Sequence, residues 1–325
     1  MMRSFSEILA EALKGKRRIM VTPNPQSKRV LTVVSDARAS GLIAPVLVGN
    51  EHLIKKNLSA FGLDTGGCRI INEHDPLQAL KKSIEIIDRG EADIIFQGDV
   101  NIREFLDAVT DEKSGIAETG DLSYVSLFEL PSENRVSFFT DTYIQEFPDL
   151  KQKVNILTNA ISLANVIGIE KPKIAALSLV EMVNLNAQSS LDAAILSKMS
   201  ERGQLNAIID GPLDIDCASS FERARRKGLN SPVSGKVDIY LLHDIESGYS
   251  TIEVFTFLGG AKTAGALMGS KIPVILNLRF EPTDSILVDI ALANLRIQAR
   301  PLAVINNQGN YSGRHRGSKA QRHKE

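Results

Sequence analysis

Several short polar clusters stand where strand-like apolar runs end. Arg279 closes the run PVILNL (273–278) and is followed at once by EPTDS, which reads as a helix start. Asp284 and Ser285 lie in the same helix start. Other runs end in Gly98-Asp99, in Thr140-Asp141, in Glu181 with Asn184, in Asp210-Gly211-Pro212, and in Asp244 with Glu246 and Gly248. In open α/β sheets, ligands bind beyond the carboxyl ends of strands. Taken singly, each cluster is also ordinary strand-to-helix turn chemistry, in which Asp, Thr and Gly cap helices. Taken together, and if the sheets are parallel, they predict one shared cleft.

Three further segments offer backbone amides and small side chains: LNSPVSGKVD (229–238) with Ser231, ESGYS (246–250), and GGAKTAG (259–265) with Lys262. Glycine lets a backbone approach a phosphate, and helix N-termini favour anions. None matches the P-loop or the G-x-G-x-x-G pattern. GGAKTAG also reads as part of a helix, expected over 251–267, that packs closely on a neighbour. Cys68 and Cys217 lie far apart and form no metal spacing, and His52, His74 and His243 make no triad or metal pattern. No metal site is expected.

The elements that must position these residues alternate. Strand-like runs at 18–22, 45–49, 69–72 and 93–98 are separated by helical patterns near 26–40, 51–61 and 76–90. In the last of these, Leu77, Leu80, Ile84 and Ile87 fall at steps of three and four, one face of a helix. Such β-α-β alternation predicts parallel strands with right-handed crossovers. YVSLFEL (124–130) and RVSFFTD (135–141), joined by PSEN, break the pattern as an antiparallel hairpin. A long helix over 149–168 follows. Strands at 173–179, 206–212, 238–244 and 273–278 then alternate with helices near 190–202, 219–229 and 251–267, before a closing helix over 283–296. The interruption places a domain boundary near 147.

The 325 residues carry a formal net charge of -1, which excludes a global bias toward nucleic acid or an anionic membrane. Trp is absent and aromatics make up 5%, which argues against base-stacking platforms. The sequence has no apolar run of membrane-spanning length. The N-terminal MMRSFSEILAEALKG reads as an amphipathic surface helix. The tail QGNYSGRHRGSKAQRHKE (308–325) is basic, aperiodic and expected to be disordered. Two free thiols fit a reducing cytoplasm.

KIAALSLVEMVNLNAQSSLDAAILSKMSERGQLNAIIDGPLDID resembles the block of the phosphate acetyltransferase and phosphate butyryltransferase family built on V-E-x-V-N, L-D-A-A and D-G-P-L. SPVSGKVDIYLLHDIESG is similar to its S-P-V-A-G-x-A-D-I-L and P-D-I-E-A-G segments, and GGAKTAGALMGSKIPVILNLR to its segment ending in a Ser-Arg pair. LSYVSLFELP and FFTDTYIQEFPDL match its L-S-H-V and T-D-x-x-x-N-x-x-P-D-L patterns. The resemblance spans roughly residues 5–300 and is closer to the butyryltransferase branch.

The resemblance implies an isopropylmalate-dehydrogenase-like architecture: two α/β domains with mostly parallel sheets and an interdomain cleft. The first would be 1–147 plus 280–305, the second 148–279, with 306–325 as a tail. It implies a cytoplasmic homodimer that moves a short acyl group between coenzyme A and inorganic phosphate, using no bound cofactor and no metal. Arg279 matches the Arg of the Ser-Arg pair and would bind phosphate and the oxyanion. Asp284 lies near an Asp that can take the thiol proton. Gly98, Thr140, Asp141, Glu181, Asn184, Asp210, Ser231, Asp244, Glu246, Gly248 and Lys262 match positions of the CoA and phosphate cleft.

The chain departs from the family pattern at Gln97, Tyr124, Gln145, Tyr249, Glu253 and Leu278, where the family carries Lys, His, Asn, Asn, Lys and Ser. Those departures leave a second reading open, a member that holds CoA or acyl phosphate without efficient turnover. An isopropylmalate-dehydrogenase-type activity fits poorly, since its metal-binding aspartate clusters and dinucleotide signals are missing.

Overall fold

The structure, a computed structural model, describes residues 1–64, 66–111, 114–116, 122–130, 135–279 and 281–299. The expected tail from 306 and the turn PSEN (131–134) lie outside these residues, as do positions 300–305. The chain opens with the expected amphipathic helix α1 (Phe5–Ala12), which buries Phe5, Ile8 and Ala12. The predicted alternation follows: β1 (Arg18–Pro23), α2 (Lys28–Ala39), β2 (Ile43–Gly49), α3 (Glu51–Phe61), β3 (Arg69–Asn72), α4 (Pro76–Asp88) and β4 (Ile94–Phe96); a helix the sequence reading did not expect, α5 (Ile102–Thr110), comes next. Ser27, Asn50, Asp75 and Asn101 start α2 to α5, each accepting a backbone N–H that the helix cannot satisfy itself.

β5 (Ser123–Glu129) and β6 (Val136–Thr140) form the expected antiparallel hairpin. Then come α6 (Leu150–Val166), β7 (Lys173–Leu177), α7 (Gln188–Glu201), β8 (Ile208–Leu213), α8 (Ile215–Ser219), α9 (Phe221–Arg226), β9 (Ile239–Leu241), α10 (Ile245–Glu253), β10 (Lys262–Met268), β11 (Val274–Ile275) and α11 (Thr283–Ala299). The helix expected over 219–229 is two short ones, divided at Ser220, whose side chain caps the second.

The helix expected over 251–267 is the clearest correction. Asp244 caps α10 with a reciprocal Ser247 bond, so the helix begins six residues early. It ends through a π-helical turn at Val254–Leu258, and Gly259 and Gly260 stop it, Gly260 with φ +64. GAKTAGALM then runs as a strand. Its residues are small and apolar because β10 is buried in the middle of the sheet, where a helix-like and a strand-like apolar run read alike.

The described strands, β1 to β11, join in one sheet, ordered β3-β2-β1-β4-β11-β10-β5-β6-β9-β7-β8. Pairing is parallel except at β11/β10, β10/β5 and β5/β6. Three reversals make the block β3-β2-β1-β4-β11 run opposite to the block β6-β9-β7-β8. The chain returns to the first block at β10 and β11, ahead of α11. That last helix packs on β10, α1 and α2 and is buried nearly all round, through Ile286, Val288, Ile290, Ala291, Leu292 and Leu295. No helix among the described residues is long and apolar enough to cross a membrane.

Candidate functional site

The two blocks meet at a cleft of about 830 Å³. One wall is α5, which follows β4 and contributes Ile102, Arg103 and Leu106. The other is the first two turns of α10, which follow β9 and contribute Ile245, Glu246, Tyr249 and Ser250. Tyr143 and Glu146, just after β6, complete the lining. The cleft therefore lies beyond carboxyl ends of strands from both blocks, where an α/β sheet holds ligands. Tyr143 and Tyr249 face each other with ring centroids 6.2 Å apart.

Gly248 brings α10 into place. A Cβ there would lie 2.5 Å from the Asp141 carbonyl oxygen and 2.8 Å from Thr142 Cα, both backbone atoms that cannot step aside. Gly248→Ala is expected to cost about 1–3 kcal/mol or more and to push α10 off the cleft. Thermal unfolding and turnover should fall together. An unchanged melting temperature would show that the contact is not close.

Asp141 explains the turn beneath Tyr143. It is buried, and its carboxylate accepts the backbone N–H groups of Tyr143, Ile144 and Gln145 at 2.8, 3.1 and 3.2 Å. Burial pushes its pKa up to about 6, against the pull of those donors. Thr140 is also buried and its hydroxyl turns to the Tyr124 carbonyl. Both shape the floor of the cleft from behind.

Arg279 follows β11 and is exposed, and among the described residues no carboxylate pairs with it. Its charge is felt at the Tyr143 hydroxyl, which burial and the neighbouring Tyr249 and Glu281 otherwise push upward. The backbone carrying Arg279 is held from below. The Leu278 carbonyl accepts from Arg29 at 2.7 Å and from the Glu281 amide at 3.2 Å. Arg29 also donates to Asn277 Oδ1 at 2.8 Å, and Asn277 in turn bonds Gln97 Oε1 and the Gly98 carbonyl. Gly98 must be glycine: φ is +67, and a Cβ would meet the Pro23 carbonyl oxygen at 1.9 Å.

Three of the positions that depart from the family pattern are therefore internal, and a fourth, Gln145, is half-buried with its amide spent within the fold. Leu278 is 1% exposed and packs with Leu276, Leu267 and Tyr124 in the core, not toward an anion. Gln97 ties to Asn277 and to the Val100 carbonyl. Tyr124 donates to Glu281, and Gln145 donates to the Leu122 carbonyl. Of the six, Tyr249 lines the cleft, and Glu253 is exposed at the end of α10.

The remaining predicted residues divide. Asp244 caps α10 and Glu246 lines the cleft, so both belong to this end of the sheet. Asp284 is exposed in the first turn of α11, where it accepts the Ser285 N–H. Lys262 opens β10 and lies 3.9 Å from Glu129. Ser231 is buried and bonds the amides of Val233 and Ser234 within its own loop. Glu181, Asn184 and Asp210 follow or lie on β7 and β8, the far edge strands. Six strand steps separate β8 from β11, on the order of 30 Å at roughly 4.8 Å per step. None of the three is among the residues that line the cleft. Asn184 holds Ser190 and Asn186, and the Asp210 carboxylate accepts the Gly211 N–H.

Glu181, Asp214, Asp216 and Cys217 lie close enough to share a metal ion. The Lys227 ammonium takes that place, 2.5, 2.6 and 3.2 Å from the three carboxylates. Its pKa is pushed up by those bonds.

Sequence reasoning missed Arg29, Arg103, Tyr143, Glu281 and Asp289. Arg103 had a signal, since it lies in the first turn of the helix after the Gly98 strand end. Asp289 had one too, an acid inside the apolar run ILVDIALANL.

Arg279 thus stands exposed after a strand of the α/β sheet, without an ion pair among the described residues and within electrostatic reach of Tyr143, which lines the cleft. Residues 76–293 match the family model described as Phosphate acetyl/butaryl transferase. A phosphate butyryltransferase from Clostridium acetobutylicum is 36% identical, over 91% of this chain and 98% of its own length. A phosphate acetyltransferase from Thermotoga maritima is 32% identical, over 89% and 98%. The crystal structure of a branched-chain phosphotransacylase from Enterococcus faecalis V583 superposes with a TM-score of 0.75 at 25% identity, covering 86% of this chain and 99% of that one. The chain belongs to the phosphate acetyl/butyryl transferase family.

Proposed function

We propose that this chain transfers a short acyl group between coenzyme A and inorganic phosphate, converting acyl-CoA and phosphate to acyl phosphate and CoA. The observation that carries the reading is Arg279, an exposed guanidinium with no ion pair among the described residues, on a turn fixed from beneath, whose charge reaches Tyr143 in the cleft between the two blocks. In the forward direction a phosphate oxygen forms a bond to the thioester carbon, and the carbon–sulfur bond breaks with its electron pair leaving on the thiolate. The reverse step needs the thiol to lose its proton first. Arg279 holds the phosphate in its fork and stabilises the oxyanion that develops on the carbonyl. Asp284, exposed in the first turn of α11, receives or returns the thiol proton. Glu246, Tyr143 and Tyr249 line the space for the acyl-CoA. Holding both substrates in line supplies much of the remaining acceleration.

The chain works as a homodimer of the cytoplasm in this reading. Leu179, Met182, Val183 and Leu185 support an assembly, since each is more than half exposed in one loop after β7. The reading of a member that only holds its ligand loses its motive, because Gln97, Tyr124, Gln145 and Leu278 bond or pack inward.

The test is thiol release from butyryl-CoA and acetyl-CoA with phosphate present or omitted. Release that requires phosphate, and is faster for butyryl-CoA, is expected. No phosphate-dependent release with any short acyl chain would sink the proposal.

A further inference from the structure

Beneath Arg279 lie two carboxyls with no place in the chemistry above. Glu281 follows the Arg279 turn and Asp289 lies in the middle of α11. They are 2% and 4% exposed. The Tyr124 hydroxyl donates to Glu281 Oε1 at 3.1 Å, and the Gly265 amide donates to Asp289 Oδ1 at 2.7 Å. The charged and titratable groups facing them are Arg29 from α2, Tyr124 from β5 and Tyr143 from the turn after β6. Glu281 Oε2 is fully buried and has no donor among the described protein groups. Two ionised carboxylates are both acceptors and cannot bond each other. A proton on either one lets the two neighbouring carboxyls bond each other.

We propose that Glu281 and Asp289 share one proton and that Glu281, so held, is the positioning residue that aims Arg279. Charge supports the proton count. With one proton the pair carries a single negative charge, which Arg29 balances in a dry interior. With none, two like charges lie side by side away from water. The route to Arg279 is short. Arg29 and the Glu281 amide both donate to the carbonyl of Leu278, the residue before Arg279. The Glu281 side chain, bonded to Tyr124, anchors the residue whose amide is one of those holds, and its charge attracts the Arg29 guanidinium that is the other. Burial pushes both carboxyls up, and the Glu281 charge pushes Asp289 further, well above its ordinary value.

The effect on turnover rests on the acyl-transfer reading, but the proton does not, so it is tested first without substrate. Infrared spectra of the whole protein at neutral pH should show a protonated-carboxyl band that Asp289→Asn removes. Asp289 keeps its proton in the fold and loses it when unfolded, above about pH 4. Wild-type stability should therefore fall relative to Asp289→Asn as pH rises from there toward the folded value. No band, or parallel pH curves of melting temperature for the two proteins, overturns the shared proton.

The aiming role is tested by a cycle of Glu281→Leu with Arg279→Ala in the phosphate-dependent assay. Glu281→Leu should lower kcat about 10-fold or more when Arg279 is present and much less in the Arg279→Ala background. Glu281→Gln, which keeps both bonds, should recover most of the loss. Equal losses in both backgrounds would make Glu281 scaffold only. If Glu281→Leu does not fold, the same cycle with Asp289→Leu decides, because it removes the carboxyl that shares the proton while leaving the Glu281 side chain and its Tyr124 bond in place.

Discussion

Arg279→Ala is expected to lower kcat of phosphate-dependent acyl transfer by about 10²–10³-fold. The guanidinium is exposed and among the described residues makes no ion pair, so its removal leaves no buried charge behind and exposes no core. Thermal stability should move by no more than about 0.5 kcal/mol, the range of ordinary surface changes. That separation is what makes the variant informative. A residue that only braced the cleft would lose stability and activity together. Arg279→Lys keeps the charge but not the planar fork that can bond two phosphate oxygens at once. It should fall between wild type and Arg279→Ala, with the phosphate KM raised more than that for acyl-CoA. A wild-type rate in Arg279→Ala would remove the residue from the chemistry and leave the cleft without its anion site.

Arg279 was legible in the sequence because two signals coincide there. A buried strand ends, and a charged residue stands in the gap before a helix. The strands of the first block were legible for the same reason, since apolar runs such as RIMVT and DIIFQG are bounded by capped helices. β10 was not. KTAGALM has no period that separates a buried strand from a buried helix, and only its hydrogen bonds to β5 and β11 decide the matter. That one element also sets the direction of the second block. With β10 read as a helix, the sheet lacks one reversal, and the opposed run of its two blocks cannot be read. Tyr124 shows a different limit. Its departure from the family's His looks like a lost ligand in the sequence, whereas it is 1% exposed and spends its hydroxyl on Glu281. Whether a polar side chain faces a cleft or a buried partner depends on residues more than a hundred positions away, and no local pattern records that.

The second block carries its own large effect. Asp192→Ala is expected to destabilise the protein by about 3–5 kcal/mol, because it leaves a buried ammonium without its counter-charge. Lys153 on α6 and Asp192 on α7 are 2% and 3% exposed and lie 2.7 Å apart. Gln188 donates to the second carboxylate oxygen at 2.8 Å, so Asp192 is fully used. The Lys153 ammonium also meets His243 Nδ1 at 2.9 Å. An ammonium can only donate, so Nδ1 accepts and the ring carries its proton on Nε2. Burial, then the Lys153 charge, hold the His243 pKa down, which keeps the ring neutral and unable to replace Asp192. Denaturant unfolding of Asp192→Ala measures the cost. Lys153→Met with Asp192→Leu should recover most of it, since a buried pair exchanged for apolar groups of similar size is often neutral. A double variant as unstable as Asp192→Ala would mean that packing, not the stranded charge, sets the loss. His243 directly precedes Asp244, the cap of α10, and α10 carries Glu246 and Tyr249 into the cleft. The single variant should therefore lose activity below its melting temperature as well. The double variant, with no charge to strand, should regain stability ahead of turnover, because His243 has lost the donor that fixes its ring.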